Sequence, residues 1–77
     1  MELWIVLDSL SGEPEVFRNE KEAGDFACDC LCAHGERWRY EKEEIEDALD
    51  IIRCGRGKSY LSTSLGECEV SIFKKKI

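Results

Sequence analysis

The run NEKEAGDFACDCLCAHG, from Asn19 to Gly35, decides how this chain folds. Read with a helical period, Ala23, Phe26, Ala27, Cys30, Leu31 and His34 form one stripe on a single face. Asn19 followed by Glu22 has the form of a capping box, and Gly35 stands where a left-handed residue would close the helix. The spacing predicts a helix over residues 20–34. Read with a period of two, Cys28, Cys30, Cys32 and His34 would instead point the same way and offer four metal donors side by side. On a helix, residues two apart do not face each other. Cys28 and Cys32 then share one side, and Cys30 and His34 share the core stripe.

Upstream, Leu3-Trp4-Ile5-Val6-Leu7 is short, apolar on both alternating faces and rich in β-formers, as a central strand is. Residues 8–13 are turn chemistry, and Pro14 opens a second short strand through Arg18. Downstream, Ile45, Ala48, Leu49 and Ile52 mark the buried stripe of a second helix. Acids crowd its first turns, Arg53 lies in its last turn and Gly55 ends it, as the helix dipole prefers. Between the helices, residues 36–40 read equally well as helix, strand or loop. Residues 58–64 and 67–75 form a hairpin around Leu65-Gly66, with Cys68, Val70 and Ile72 alternating against Glu69, Ser71 and Phe73. The order is β-β-α-α-β-β, a single α+β domain over residues 1–77. It is expected to be a four-stranded antiparallel sheet with two helices packed on one face.

With 77 residues the core is thin, and a deep, strained active site is not expected. No apolar run approaches the ~18 residues that cross a membrane, so no membrane role is expected. The apolar residues at the amino end lack a basic leader and a cleavage site and read as a strand, not a signal. Five cysteines, an odd number without a secretory signal, predict reduced thiols and a cytoplasmic location.

The formal net charge is −6. Residues 1–52 hold fifteen acids and five bases, while residues 53–77 hold two acids and six bases. Such a surface is a poor match for nucleic acid and a good one for a basic protein. Glu43, Glu44, Glu46, Asp47 and Asp50 carry the acidic face of the second helix, with carboxylates on successive turns near the spacing of nucleic-acid phosphates. Trp38 and Tyr40 stand just before it as aromatic anchors. A plain solvated face is the alternative for the acidic run.

If Leu3, Ile5, Leu7, Val70 and Ile72 face the helices, then Trp4, Val6 and Phe73 point away from them, joined by Tyr60 or Leu61. That outer face is a candidate interface for a foreign protein or for a homodimer. Cys54-Gly55-Arg56-Gly57-Lys58-Ser59 lacks the first glycine of a phosphate-binding loop, since position 52 is Ile52, and reads as a helix end and a turn. Lys74-Lys75-Lys76 reads as a charged guard on the terminal strand.

No catalytic constellation and no cofactor are expected. The expectation is a small acidic non-enzymatic binding protein that occupies a basic, nucleic-acid-binding surface of a host complex. In size and charge it is similar to the small inhibitors of phages and mobile elements, anti-CRISPR proteins among them. The other reading is a cytoplasmic zinc-binding module using Cys28, Cys30, Cys32 and His34.

Overall fold

A computed structural model describes residues 1–77. Six elements follow one another: β1 (Glu2–Asp8), β2 (Glu15–Phe17), α1 (Glu20–Arg37), α2 (Lys42–Cys54), β3 (Tyr60–Leu65) and β4 (Cys68–Lys76). The strands form one antiparallel sheet in the order β2-β1-β4-β3, and both helices pack against it. The first and last strands are therefore the central pair, matched from Glu2 opposite Lys76 to Asp8 opposite Val70.

The core lies between the helices and the sheet. Ala23, Ala27 and Leu31 of α1 meet Ala48, Leu49 and Ile52 of α2 over Val6, Leu65, Cys68, Val70 and Ile72. The small residues of α1 let it sit close. Phe26, at the edge of that stripe, meets Phe17 of β2 in a tilted pair with ring centroids 5.3 Å apart. Thr63 Oγ1 donates to the Ala48 carbonyl at 3.1 Å, pinning β3 to α2 inside the core.

Helix α1 begins where expected, with Asn19 Oδ1 accepting from the Glu22 N–H at 2.8 Å. It ends later than expected. Gly35 is buried inside the helix, where a Cβ would come 2.5 Å from Ile45 Cδ1. Its glycine serves close approach of the two helices, not termination. The left-handed residue is Arg39, with φ 57. The Tyr40 N–H reaches back to the Gly35 carbonyl at 3.0 Å, and the Arg39 N–H to that of Glu36 at 3.4 Å. This is a Schellman closure with arginine in the place glycine usually takes. Residues 36–40 thus finish a helix and turn into the next one.

The phase of β1 is opposite to the expected one. Directly paired residues share a face. Val6 pairs with Ile72 and Asp8 with Val70, and all four are buried. Trp4, Val6 and Asp8 therefore face the helices, while Leu3, Ile5 and Leu7 face away. Phe73 is on the outer face as expected, and Tyr60, paired with it, joins it there, while Leu61 packs inward. The β3–β4 hairpin is also displaced by one residue. Leu65 and Cys68 are its closing pair, both buried, and Gly66-Glu67 is the turn, with Gly66 at φ +64.

Candidate functional site

Asp8 ends β1 on the buried face, which costs free energy unless the carboxylate is satisfied. Three donors satisfy it. The Leu10 N–H reaches Oδ1 at 3.0 Å, His34 Nε2 lies 2.7 Å from Oδ2, and Cys68 Sγ lies 3.7 Å from Oδ1. The turn after β1 supplies the first donor, α1 the second and β4 the third. Asp8, Cys68 and the His34 side chain are all nearly enclosed. Burial pushes the Asp8 carboxyl up, but the His34 and Leu10 hydrogen bonds and the nearby imidazole outweigh it, and the group sits below its ordinary 3.8.

Cys30 lies one helical turn before His34 and belongs to the same neighbourhood. Desolvation, then the Asp8 carboxylate and Cys68, push its thiol up to about 11. Desolvation and Asp8 do the same to Cys68, also to about 11. These thiols are protonated at neutral pH and are poor nucleophiles. The carboxylate is the hub to which both the imidazole and the thiol attach. That arrangement differs from a nucleophile–base–orienter relay, in which histidine stands between the other two.

The four donors that the sequence places in one run are therefore divided. Cys30 and His34 turn toward Asp8 and Cys68. Cys28 turns the other way, into a cavity of about 300 Å³ that it lines together with Trp4, Gly24, Ile52 and Leu61. Desolvation raises the Cys28 thiol, partly offset by Arg53. Cys32 is half-buried and Cys54 exposed, and all five thiols are free. Trp4, expected on the outer face, has its indole Nε1–H buried without an acceptor.

The acidic residues of α2 are all exposed. Glu46 and Asp50 pair with Arg53 at 3.2 and 3.7 Å. Glu41, Glu43, Glu44 and Asp47 make no ion pair. Trp38 is 60% exposed and lines an apolar groove with Leu10, Tyr40 and Leu65. Tyr40 is half-buried, its hydroxyl lying where a Cβ on Gly66 would be. Trp38 and Tyr40 thus share one groove, whereas Phe73 lies on the far side of the sheet and Trp4 inside.

On that far side, Val16, Ile5, Phe73 and Tyr60 stand in one row across all four strands, each directly opposite the next. Leu3 and Leu7 flank Ile5 along β1. No helix covers this row. Asp8 is the residue that sequence reasoning missed. At the head of a turn it reads as turn chemistry, and the one signal pointing to it was a lone histidine on a core stripe, which requires an acceptor.

No protein-family model matches the chain, and the comparisons with curated proteins and with solved structures found no match. No helix is long and apolar enough to cross a membrane.

Proposed function

We propose that the chain is a non-enzymatic binding protein that occupies a basic surface of another protein through the acidic face of α2 and the Trp38 groove. The observation that carries this reading is a largely exposed tryptophan three residues before Glu41, the first in sequence of four carboxylates that make no ion pair. Exposed carboxylates with no cation of their own are free to meet those of a basic partner. Tryptophan and tyrosine next to such charges are the residue types that anchor interfaces. A host surface that normally holds nucleic acid has the matching sign, so inhibition of a nucleic-acid-handling complex, in the manner of phage and mobile-element inhibitors such as anti-CRISPR proteins, is the activity this surface supports. Five free thiols fit a reducing compartment such as the cytoplasm.

The raised thiols of Cys30 and Cys68, and a carboxylate already engaged by three donors, support binding over catalysis. The outer face supports a second contact, with another copy of the same chain. Along β4 that face runs Glu69, Ser71, Phe73, Lys75, so a two-fold pairing that reverses the strands sets Glu69 of each copy against Lys75 of the other while the apolar rows meet. The sheet is only about 20 Å on a side by strand spacing, so the dimer is weak.

The test of the binding reading is capture of host proteins from lysate with the wild-type chain, with the triple variant E43Q/E44Q/D47N and with W38A. A partner retained by wild type, lost by both variants, displaced by added nucleic acid and showing an on-rate that falls with salt supports the proposal. A partner held equally by all three chains, or insensitive to salt, refutes it.

A further inference from the structure

We propose that Cys30, His34, Cys68 and Asp8 form a closed, four-donor site for one zinc ion, joining α1 to both central strands. The donor atoms of Asp8, His34 and Cys68 already lie within 4.8 Å of one another. Around tetrahedral zinc, with bonds of about 2.0 Å to nitrogen and oxygen and about 2.3 Å to sulfur, neighbouring donors stand roughly 3.3–3.8 Å apart. Cys68 Sγ stands 3.7 Å from Asp8 Oδ1, within that range, while His34 lies against the other oxygen, Oδ2. The His34–Asp8 contact of 2.7 Å has to open by less than about 1 Å, which a side-chain rotation supplies.

Cys30 completes the set. It precedes His34 by four residues, so both project from one face of α1. Its sulfur lies outside the 4.8 Å that encloses the other three donor atoms and swings in about its side-chain bonds to meet the ion. Two sulfurs, one imidazole and one carboxylate are a donor set that suits zinc over calcium or magnesium. Solvent is nearly excluded, and four protein donors leave no open position, so the site is structural in kind. Binding releases the two thiol protons of Cys30 and Cys68 to solvent, the Nε2 proton that a neutral His34 lends to Asp8 passes to Nδ1, and bonds to the metal replace the Asp8 hydrogen bonds to sulfur and imidazole. In the apo chain hydrogen bonds already hold Asp8, His34 and Cys68 together, and Cys30 rides on the same face of α1 as His34.

This set differs from the contiguous run of donors in the sequence. Cys28 and Cys32 are outside it, Cys28 turning toward Arg53 and Trp4. They therefore serve as internal controls.

The experiment uses the reduced, metal-stripped full chain. One equivalent of Zn²⁺ is expected to be retained through desalting, at a stoichiometry of one by elemental analysis. Co²⁺ in its place is expected to give the ligand-field bands of a tetrahedral site and a thiolate-to-cobalt charge-transfer band. Loss of outer-shell partners alone costs metal sites about 10–100-fold in affinity. C30S and C68S, which remove ligands, should each weaken zinc by more than about tenfold while C28S and C32S leave it unchanged. Circular dichroism establishes that each variant is folded, and C30S, at a half-buried position, decides if C68S does not fold. Failure to retain zinc, an octahedral cobalt spectrum, or affinity that follows Cys28 and Cys32 overturns the proposal. None of these outcomes depends on whether the acidic face binds a protein.

Discussion

Replacing Asp8 with alanine should remove a large fraction of the stability of the metal-free protein. The carboxylate accepts from Leu10, His34 and Cys68. The Leu10 N–H is on an exposed residue and can turn to water, and a thiol is a weak donor. The His34 contact, at 2.7 Å between two nearly enclosed side chains, therefore carries most of the effect. A hydrogen bond to a charged group is worth about 1.5–3 kcal/mol, and the lost turn bond adds about 0.5–1 kcal/mol. The expected loss is about 2–4 kcal/mol, against a total near 4–11 kcal/mol for a chain of this length. The midpoint of thermal unfolding should fall on the order of 10–25 °C. Urea unfolding followed by circular dichroism, at neutral pH with a chelator present, gives the number directly. H34A should cost a similar amount, and D8A/H34A should cost less than the two together by about 1.5–3 kcal/mol, because the second change removes a contact already lost. The pH dependence has a defined sign. The Asp8 carboxyl lies below its ordinary 3.8 in the folded chain. Its contribution is therefore full above that ordinary value and disappears as pH falls through the lower folded one. The gap between wild type and D8A should close below about pH 4. A D8A penalty under about 0.5 kcal/mol, or strictly additive single changes, would refute the assignment of Asp8 as the hub of this cluster.

Three further outcomes are expected. Gly66→Ala should destabilise by about 1–3 kcal/mol in the same urea assay, since φ is +64 and the new methyl meets the Tyr40 hydroxyl, whereas Gly12→Ala, with nothing within 4 Å, should show only the smaller backbone cost. Thiol titration at pH 8 under native conditions should modify exposed Cys54 first and leave Cys68 and Cys30 until last, as their burial and raised thiols require; equal rates for all five would contradict the packing. Sedimentation should show a concentration-dependent monomer–dimer equilibrium that Phe73→Lys abolishes without loss of helix signal, and a monomer at all concentrations would remove the outer face as a self-contact.

The elements were legible because their two periodicities differ. The alternation of Cys68, Val70 and Ile72 and the stripe of Ile45, Ala48, Leu49 and Ile52 each admit one reading. The end of α1 was not legible, because a glycine that lets helices approach looks the same in sequence as one that closes a helix. Only the position of Ile45 against Gly35 distinguishes them. The division of the cysteines followed from the helical reading alone, since residues two apart diverge. The partner of His34 did not, because Asp8 is 26 residues away and nothing local marks it. The acidic face of α2 was visible from composition, but which of its carboxylates are unpaired depended on where Arg53 reaches.

The phase of β1 was illegible for a deeper reason. Five apolar residues in a row bury comparably well in either phase, and a one-residue slip exchanges the faces completely. Inverting the strand would put Leu3, Ile5 and Leu7 under the helices in place of Trp4, Val6 and Asp8, with no obvious loss of buried apolar surface. What selects the observed phase lies at the two ends of the strand. At one end the indole of Trp4 and Gly24 of α1 line the same cavity, and the Lys74 ammonium stands 5.9 Å from the centroid of that ring. At the other, Asp8 meets His34 and Cys68, and inversion would strand the imidazole without its acceptor. The buried polar cluster thus acts as a register pin, the role in which such groups are best attested. A consequence follows for the opposite side of the sheet. Fixing Asp8 inward forces Leu3, Ile5 and Leu7 outward, where an uncovered sheet ordinarily carries polar residues. Val16, Phe73 and Tyr60 need not have matched them, since their strands were free to carry polar residues at those positions. That they are apolar, and stand in line with Ile5, means the outer row extends across the sheet beyond what the pin imposed, and it is this row that the proposed self-contact would cover.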